Sequence, residues 1–109
     1  DGTLALWGYN SYGELGNNST ASSSVPVLVD STGVLAGKTV IRAVGGNIHS
    51  LAVCSDGTVA AWGYNSSGQL GNNSTVNSNV PVIVNQTGVL AGTTVTAIAA
   101  GGNLLRRLL

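Results

Sequence analysis

Leu51, Val53, Val59 and Ala61 are spaced in twos over two short runs, Ser50 to Cys54 and Thr58 to Trp62, which are separated by Asp56-Gly57. Alternation of this kind around an Asp-Gly step predicts a β-hairpin, because Gly supplies the positive φ of a tight turn and Asp tolerates it. A second strand type is β-branched: Val25-Pro26-Val27-Leu28-Val29 and Val80-Pro81-Val82-Ile83-Val84. Pro26 and Pro81 lack an N–H and belong at a strand start or on an edge, so these runs are read as the outer strands. A third type covers Lys38 to Val44 and Thr93 to Ala100 and leads into Gly45-Gly46 and Gly101-Gly102. Thr32 to Gly37 and Thr87 to Gly92 are bracketed by Gly and too short for a stable helix, so each reads as a turn with its apolar tip tucked inward.

Between these strands lie long polar segments, Tyr9 to Ser24 and Tyr64 to Asn79, rich in Asn, Ser and Gly. They read as loops. Asn10 and Asn65 suit Asx turns, while Gly13, Gly16, Gly68 and Gly71 sit where the backbone needs conformations closed to other residues. Leu15 and Leu70, the large aliphatic residues of the Gly-bracketed stretches, read as plugs that pin each loop to the core.

Every feature occurs twice. Trp7-Gly8-Tyr9-Asn10-Ser11-Tyr12-Gly13-Glu14-Leu15-Gly16 returns as Trp62-Gly63-Tyr64-Asn65-Ser66-Ser67-Gly68-Gln69-Leu70-Gly71. Trp7 to Trp62, Pro26 to Pro81 and Gly46 to Gly101 all give a shift of about 55 residues without a gap, a period that marks solenoids, propellers or arrays. The chain is read as one repeat domain, 1–109, with copies over about 1–55 and 56–109. The copies diverge at the end. Leu104 stands where the first copy has His49, and Arg106 and Arg107 replace Leu51 and Ala52. Two adjacent Arg cannot share one face of an alternating strand, so Leu104 to Leu109 is expected to pack poorly or fray.

Composition sharpens this picture. Charged residues are 7% of the 109, against a usual ~25%, and helix formers are scarce, which favours an all-β fold. Four basic side chains balance four acidic ones, so no field draws phosphate backbones or anionic lipid, and neither nucleic acid nor membrane is an expected partner. No apolar run approaches the ~20 residues of a membrane-spanning helix, and there is no basic signal-peptide start. Cys54 alone cannot form an internal disulfide, and without a flanking cation it reads as a buried, inert thiol.

The Trp-Gly-x-Asn-x-x-Gly-Gln/Glu-Leu-Gly stretches at Trp7 to Gly16 and Trp62 to Gly71, with Pro26, Pro81, the Gly46-x-x-His49 step and the Asp56-Gly57 turn, resemble the repeats of the regulator of chromosome condensation family. The resemblance covers nearly the whole chain. It implies a β-propeller with one four-stranded antiparallel blade per repeat, sequence repeats offset from blades, and a ring closed by pairing the chain ends. Two repeats supply about eight strands, or two blades, whereas closed propellers have about 4 to 8 blades. The ring is therefore incomplete. The chain reads as a fragment of a longer protein, or as a short protein whose exposed faces stack on other copies.

Little in the sequence carries chemistry. Gly33 to Thr39 imitates a phosphate-binding loop, but three residues separate its glycines where four are needed, and its twin has Thr93 in place of Lys38. His49 is the single histidine, and the resemblance implies a structural role for it near the inner end of a blade. The scattered acids offer no catalytic pair. Asn17, Asn18, Asn72 and Asn73 could offer only neutral oxygens to Ca²⁺, and the Asn-x-Ser/Thr sequons are expected from composition. No cofactor or metal site is expected. Trp7 and Trp62, with Tyr9 and Tyr64, could form a stacking surface for a sugar or peptide, but each Trp ends a strand and recurs with the repeat, which favours packing between blades.

The leading reading is a non-enzymatic protein-interaction scaffold whose loops face a partner of unknown identity, with further blades or self-association alongside. The resemblance also implies nucleotide exchange on a small GTPase with docking on chromatin, yet no inserted wedge or basic arm is present. A bacterial surface or secreted repeat protein is a third reading, suggested by low charge, polar loops and near-identical copies.

Overall fold

A computed structural model describes residues 3–46, 48–85, 97–101 and 104–108, the last two segments by their backbone. Among the described residues there are eight strands: β1 (Ala5–Gly8), β2 (Ser23–Leu28), β3 (Val40–Gly45), β4 (His49–Cys54), β5 (Val59–Gly63), β6 (Ser78–Ile83), β7 (Ala97–Gly101) and β8 (Leu104–Leu108). The fold is all-β and every strand pair is antiparallel.

The eight strands divide two, four and two, in the sheets β1-β2, β3-β4-β5-β6 and β7-β8. The two repeats thus form one whole blade flanked by two half-blades, where an equal split would give two blades of four. The reason is that each repeat begins in mid-sheet: its Trp strand pairs backwards with the last strand of the previous repeat, as β5 does with β4.

The central blade carries the core. Every residue of β4 and β5 is buried, which is why these runs hold only small or apolar residues apart from His49 and Ser50. One face packs Leu51, Val53, Val59, Ala61, Leu70 and Val84 together. The other packs Ala52, Cys54, Ala60 and Trp62 with Val29 and Leu35. Each fully buried Val or Leu contributes about 1.5–3 kcal/mol. The β4–β5 turn is closed by Gly57 N–H to the Cys54 carbonyl and by Asp56 Oδ1, which accepts from Thr58 N–H. Lys38 Nζ donates to Asp56 Oδ2 at 2.6 Å across the neighbouring turn.

Pro26 lies in β2, whose described pairing is with β1, and Pro81 lies in β6, the outer strand of the central sheet. The turn at Thr32 to Gly37 tucks in Leu35, which is buried. Its twin at Thr87 to Gly92, and Thr93 to Thr96, lie outside the described residues. The expected fraying of Leu104 to Leu109 is not what the backbone does over Leu104–Leu108. These residues form β8 in unbroken register with β7, from Ala97↔Leu108 to Gly101↔Leu104. The ladder is made by main-chain N–H and C=O groups that Arg carries like any other residue, so the Arg pair does not by itself prevent it.

Candidate functional site

Asn10 and Asn65 build the two loops. Asn65 Nδ2 donates to the carbonyls of Ser74 and Val76, both at 3.0 Å, while Asn65 Oδ1 accepts from Leu70 N–H at 2.9 Å. Asn10 makes the same bonds to Ser19, Ala21 and Leu15. One buried amide thus ties both ends of a long polar loop together and seats the plug, Leu15 or Leu70, in the core. This is a wider role than a local Asx turn. The main-chain N–H groups of Asn10 and Asn65 are taken by Ser22 Oγ and Asn77 Oδ1, so the surrounding polar residues also have structural work.

The loop of the first repeat meets the central blade through a latch. The Glu14 carbonyl accepts from Trp62 Nε1 at 2.7 Å and from Ser50 Oγ at 2.8 Å. Asn18 N–H donates to the Asn79 carbonyl at 2.9 Å. A Cβ on Gly13 would lie 2.6 Å from Asn79 Cα, so Gly is needed there for close approach as well as for its φ of +85°. A Cβ on Gly16 would lie 2.7 Å from Trp62 Nε1.

The second copies of these positions fare differently. Trp62 is fully buried, but Trp7 is 62% exposed, which corrects the expectation that both rings pack between blades. Among the described residues, nothing lies within 4 Å of a Cβ built on Gly68. Gly8 and Gly63 follow the Trp residues at register irregularities in their strand pairs and take positive φ, as does Gly71. Gly46 N–H donates to the carbonyl of His49, which is fully buried in β4. Gly101 ends β7.

Above the latch, three tyrosines meet. Tyr12 packs edge-on against Tyr64 with ring centroids 4.7 Å apart, and Tyr9 lies 6.4 Å from Tyr12. Tyr9 and Tyr12 are exposed, and a groove of about 270 Å³ beside them is lined by Ser11, Tyr12, Thr20, Asn77, Ser78 and Asn79. The sequence offers Tyr9 and Tyr64 as candidate stacking residues beside the tryptophans but not Tyr12, which breaks the repeat, its twin being Ser67.

The remaining candidate chemistry is engaged elsewhere. In the Gly33 to Thr39 turn, Ala36 N–H and Lys38 N–H donate to Gly33 and Leu35 carbonyls, and the Lys38 ammonium holds Asp56. Burial pushes the Cys54 thiol up from its ordinary pKa, with the nearby Asp56 charge adding to the shift. Asn17 and Asn72 each turn a carbonyl oxygen to the organising amide of their own loop.

A family model described as "Regulator of chromosome condensation (RCC1) repeat" matches residues 1–53 and again 56–105, and a second of the same description matches 41–69. Human E3 ubiquitin-protein ligase HERC2 is 34% identical over 102 residues, 94% of this chain and 2% of that protein. Protein RCC2 homolog of Xenopus laevis is 39% identical over 71 residues, 65% of this chain and 13% of that protein. Among solved structures, human WBSCR16 matches with a TM-score of 0.72 at 25% identity, covering 95% of this chain and 25% of that one. Prp20p of Saccharomyces cerevisiae, described with its binding properties to Gsp1p and histones, matches with a TM-score of 0.70 at 27% identity, covering 89% and 24%. The chain thus spans a small part of each of these proteins.

Proposed function

Because the chain belongs to the regulator of chromosome condensation (RCC1) repeat family, we propose that it works as a non-enzymatic propeller segment that binds another protein through its tyrosine-bearing loop face. The observation that carries this reading is the Tyr9–Tyr12–Tyr64 cluster, in which Tyr9 and Tyr12 are exposed and Tyr12 lines a groove with polar walls. Tyrosine supplies large, rigid contact area at small entropic cost, and Ser, Asn and Gly around it supply adaptable hydrogen bonds, the mix that suits a protein-binding surface. The loops beneath are fixed by Asn10 and Asn65, so little ordering is needed on binding. Protein binding in the description of Prp20p agrees with this class of function. The ligase activity in the name of HERC2 is not carried over, since this chain corresponds to 2% of that protein.

The test replaces Tyr12 by a photo-crosslinking phenylalanine analogue and identifies the captured protein in extract of the source organism. The affinity of that protein, produced pure, is then measured against the parent chain, Tyr12→Ala and Tyr9→Ala. Loss of at least about tenfold in affinity on Tyr12→Ala is expected, in line with an aromatic anchor. Equal affinity for the parent and both variants would sink the reading.

A further inference from the structure

The two loops that meet inside the chain leave a groove of about 270 Å³ between them, walled by Ser11, Tyr12 and Thr20 of the first repeat and Asn77, Ser78 and Asn79 of the second. Both walls are fixed. Asn18 N–H donates to the Asn79 carbonyl, and Asn77 Oδ1 accepts from Asn65 N–H at 2.7 Å. Tyr12 is held through its own N–H, which donates to Glu14 Oε1, and by the edge contact with the Tyr64 ring. Ser78 Oγ is engaged with Val80, donating to its carbonyl and accepting from its N–H. The other polar groups of the lining remain available. Within the described residues no bond engages the hydroxyls of Ser11, Tyr12 and Thr20 or the carboxamide of Asn79, and none of the lining residues is charged.

We propose that this groove takes one neutral pyranose ring, laid against the Tyr12 side chain and hydrogen-bonded through its hydroxyls to Asn79, Ser11 and Thr20. The inference rests on the reading of the tyrosine-bearing face as the binding face and names the chemistry that enters it. A sugar ring has an apolar C–H face that suits the electron-rich face of a tyrosine, and a rim of hydroxyls that both donate and accept. The available groups match that rim. Ser, Thr and Tyr hydroxyls likewise donate and accept, and the Asn79 carboxamide sets a donor beside an acceptor, as two neighbouring ring hydroxyls require. Phosphorylated, sulfated or uronic ligands find no counter-charge in the lining. A peptide anchor wants a deep apolar pocket, whereas Tyr12 is the only large apolar side chain among the lining residues. The site is not a property of the repeat, because Ser67 stands in place of Tyr12 one period later. So open a groove holds a single ring weakly, with a Kd on the order of millimolar.

Amide chemical-shift mapping on the ¹⁵N-labelled 109-residue chain tests this, with the methyl glycosides of glucose, galactose, mannose and N-acetylglucosamine as probes. At least one is expected to give saturable shifts at Tyr12, Thr20 and Asn79, unchanged between about 0.05 and 0.5 M salt. Tyr12→Ala should weaken that binding about tenfold. Asn79→Ala keeps the main-chain carbonyl that holds Asn18 and should weaken it about three- to tenfold. Both variants should keep the parent's shifts away from the groove. No saturable shift with any of these probes, or equal binding by the parent and both variants, would overturn the proposal. Two further arms distinguish the sources of such a ring. A tenfold or greater loss of affinity on removing the glycans of the protein captured through Tyr12, or retardation of the chain in gels holding a neutral glucan, galactan or mannan, would each support it. Glycoside shifts with no captured protein would remove the protein-binding reading and leave this one standing, whereas a captured protein with no glycoside shift would do the reverse.

Discussion

The indole nitrogen of Trp62 donates to the backbone carbonyl of Glu14 at 2.7 Å, joining the end of β5 to a loop 48 residues earlier. Trp7, at the same place in the first repeat, is 62% exposed. Trp62→Ala should therefore cost about 3–5 kcal/mol. Trp7→Ala should stay within about 0.5 kcal/mol. Urea denaturation of both variants checks the contrast, and equal losses would contradict the environments described.

The same asymmetry appears at glycine. Gly13→Asn tolerates its φ but drives a side chain into the Asn79 backbone, where a Cβ would sit 2.6 Å away. A loss of about 1–3 kcal/mol is expected. Gly68→Asn meets no described atom within 4 Å of its Cβ and should lower the denaturation midpoint much less. A larger loss at 68 than at 13 would count against the latch.

Asn65→Asp separates the two halves of the amide's task. The carboxylate still accepts from Leu70 N–H but sets a charge against the Ser74 and Val76 carbonyls. A loss of about 2–4 kcal/mol is expected, with faster amide exchange over 64–77. Unchanged exchange there would mean that the loop holds itself without the amide.

Glu14 and Gln69 allow a swap. Each Oε1 accepts the N–H two residues earlier, from Tyr12 at 2.8 Å and Ser67 at 2.9 Å. Glu14 Oε2 is buried and has no hydrogen-bond partner among the described residues. Gln69 Nε2 is likewise buried without a partner among the described residues, so Glu14→Gln keeps the bond, exchanges one unpaired buried polar atom for another, and should change stability by less than about 1 kcal/mol by thermal or chemical melting. A larger loss would show that the carboxylate is required.

Acid should weaken the β4–β5 turn. The Lys38 ammonium and the Thr58 N–H hold Asp56 well below the ordinary carboxylate range. A group with a depressed folded pKa contributes stability that is complete above its unfolded value near 4 and is lost as pH falls towards the folded one. The parent chain should thus lose stability below about pH 4 more steeply than Asp56→Asn. Parallel pH profiles would rule this contribution out.

Local signals carried most of the architecture. Alternation marked β4 and β5, Asp56-Gly57 marked their turn, and the Gly-bracketed leucines marked the plugs, because each depends on residues close in sequence. What the sequence concealed is non-local. Trp7 and Trp62 read alike since repetition gives them the same flanking residues, while their burial depends on what packs from a distance. The Ser50 hydroxyl on the Glu14 carbonyl joins residues 36 apart. Tyr12 and Tyr64 belong to different copies, so no motif within one repeat announces their contact.

The two-four-two partition of strands means that the unit of duplication is not the unit of packing. A gain or loss of one full period cuts through the middle of a sheet and rejoins the same strand types, so every new seam repeats an old one. Such a gene can lengthen or shorten by whole periods and keep the same kind of backbone seam, leaving the side chains at that seam, such as Tyr12 against Ser67, as the place where copies come to differ.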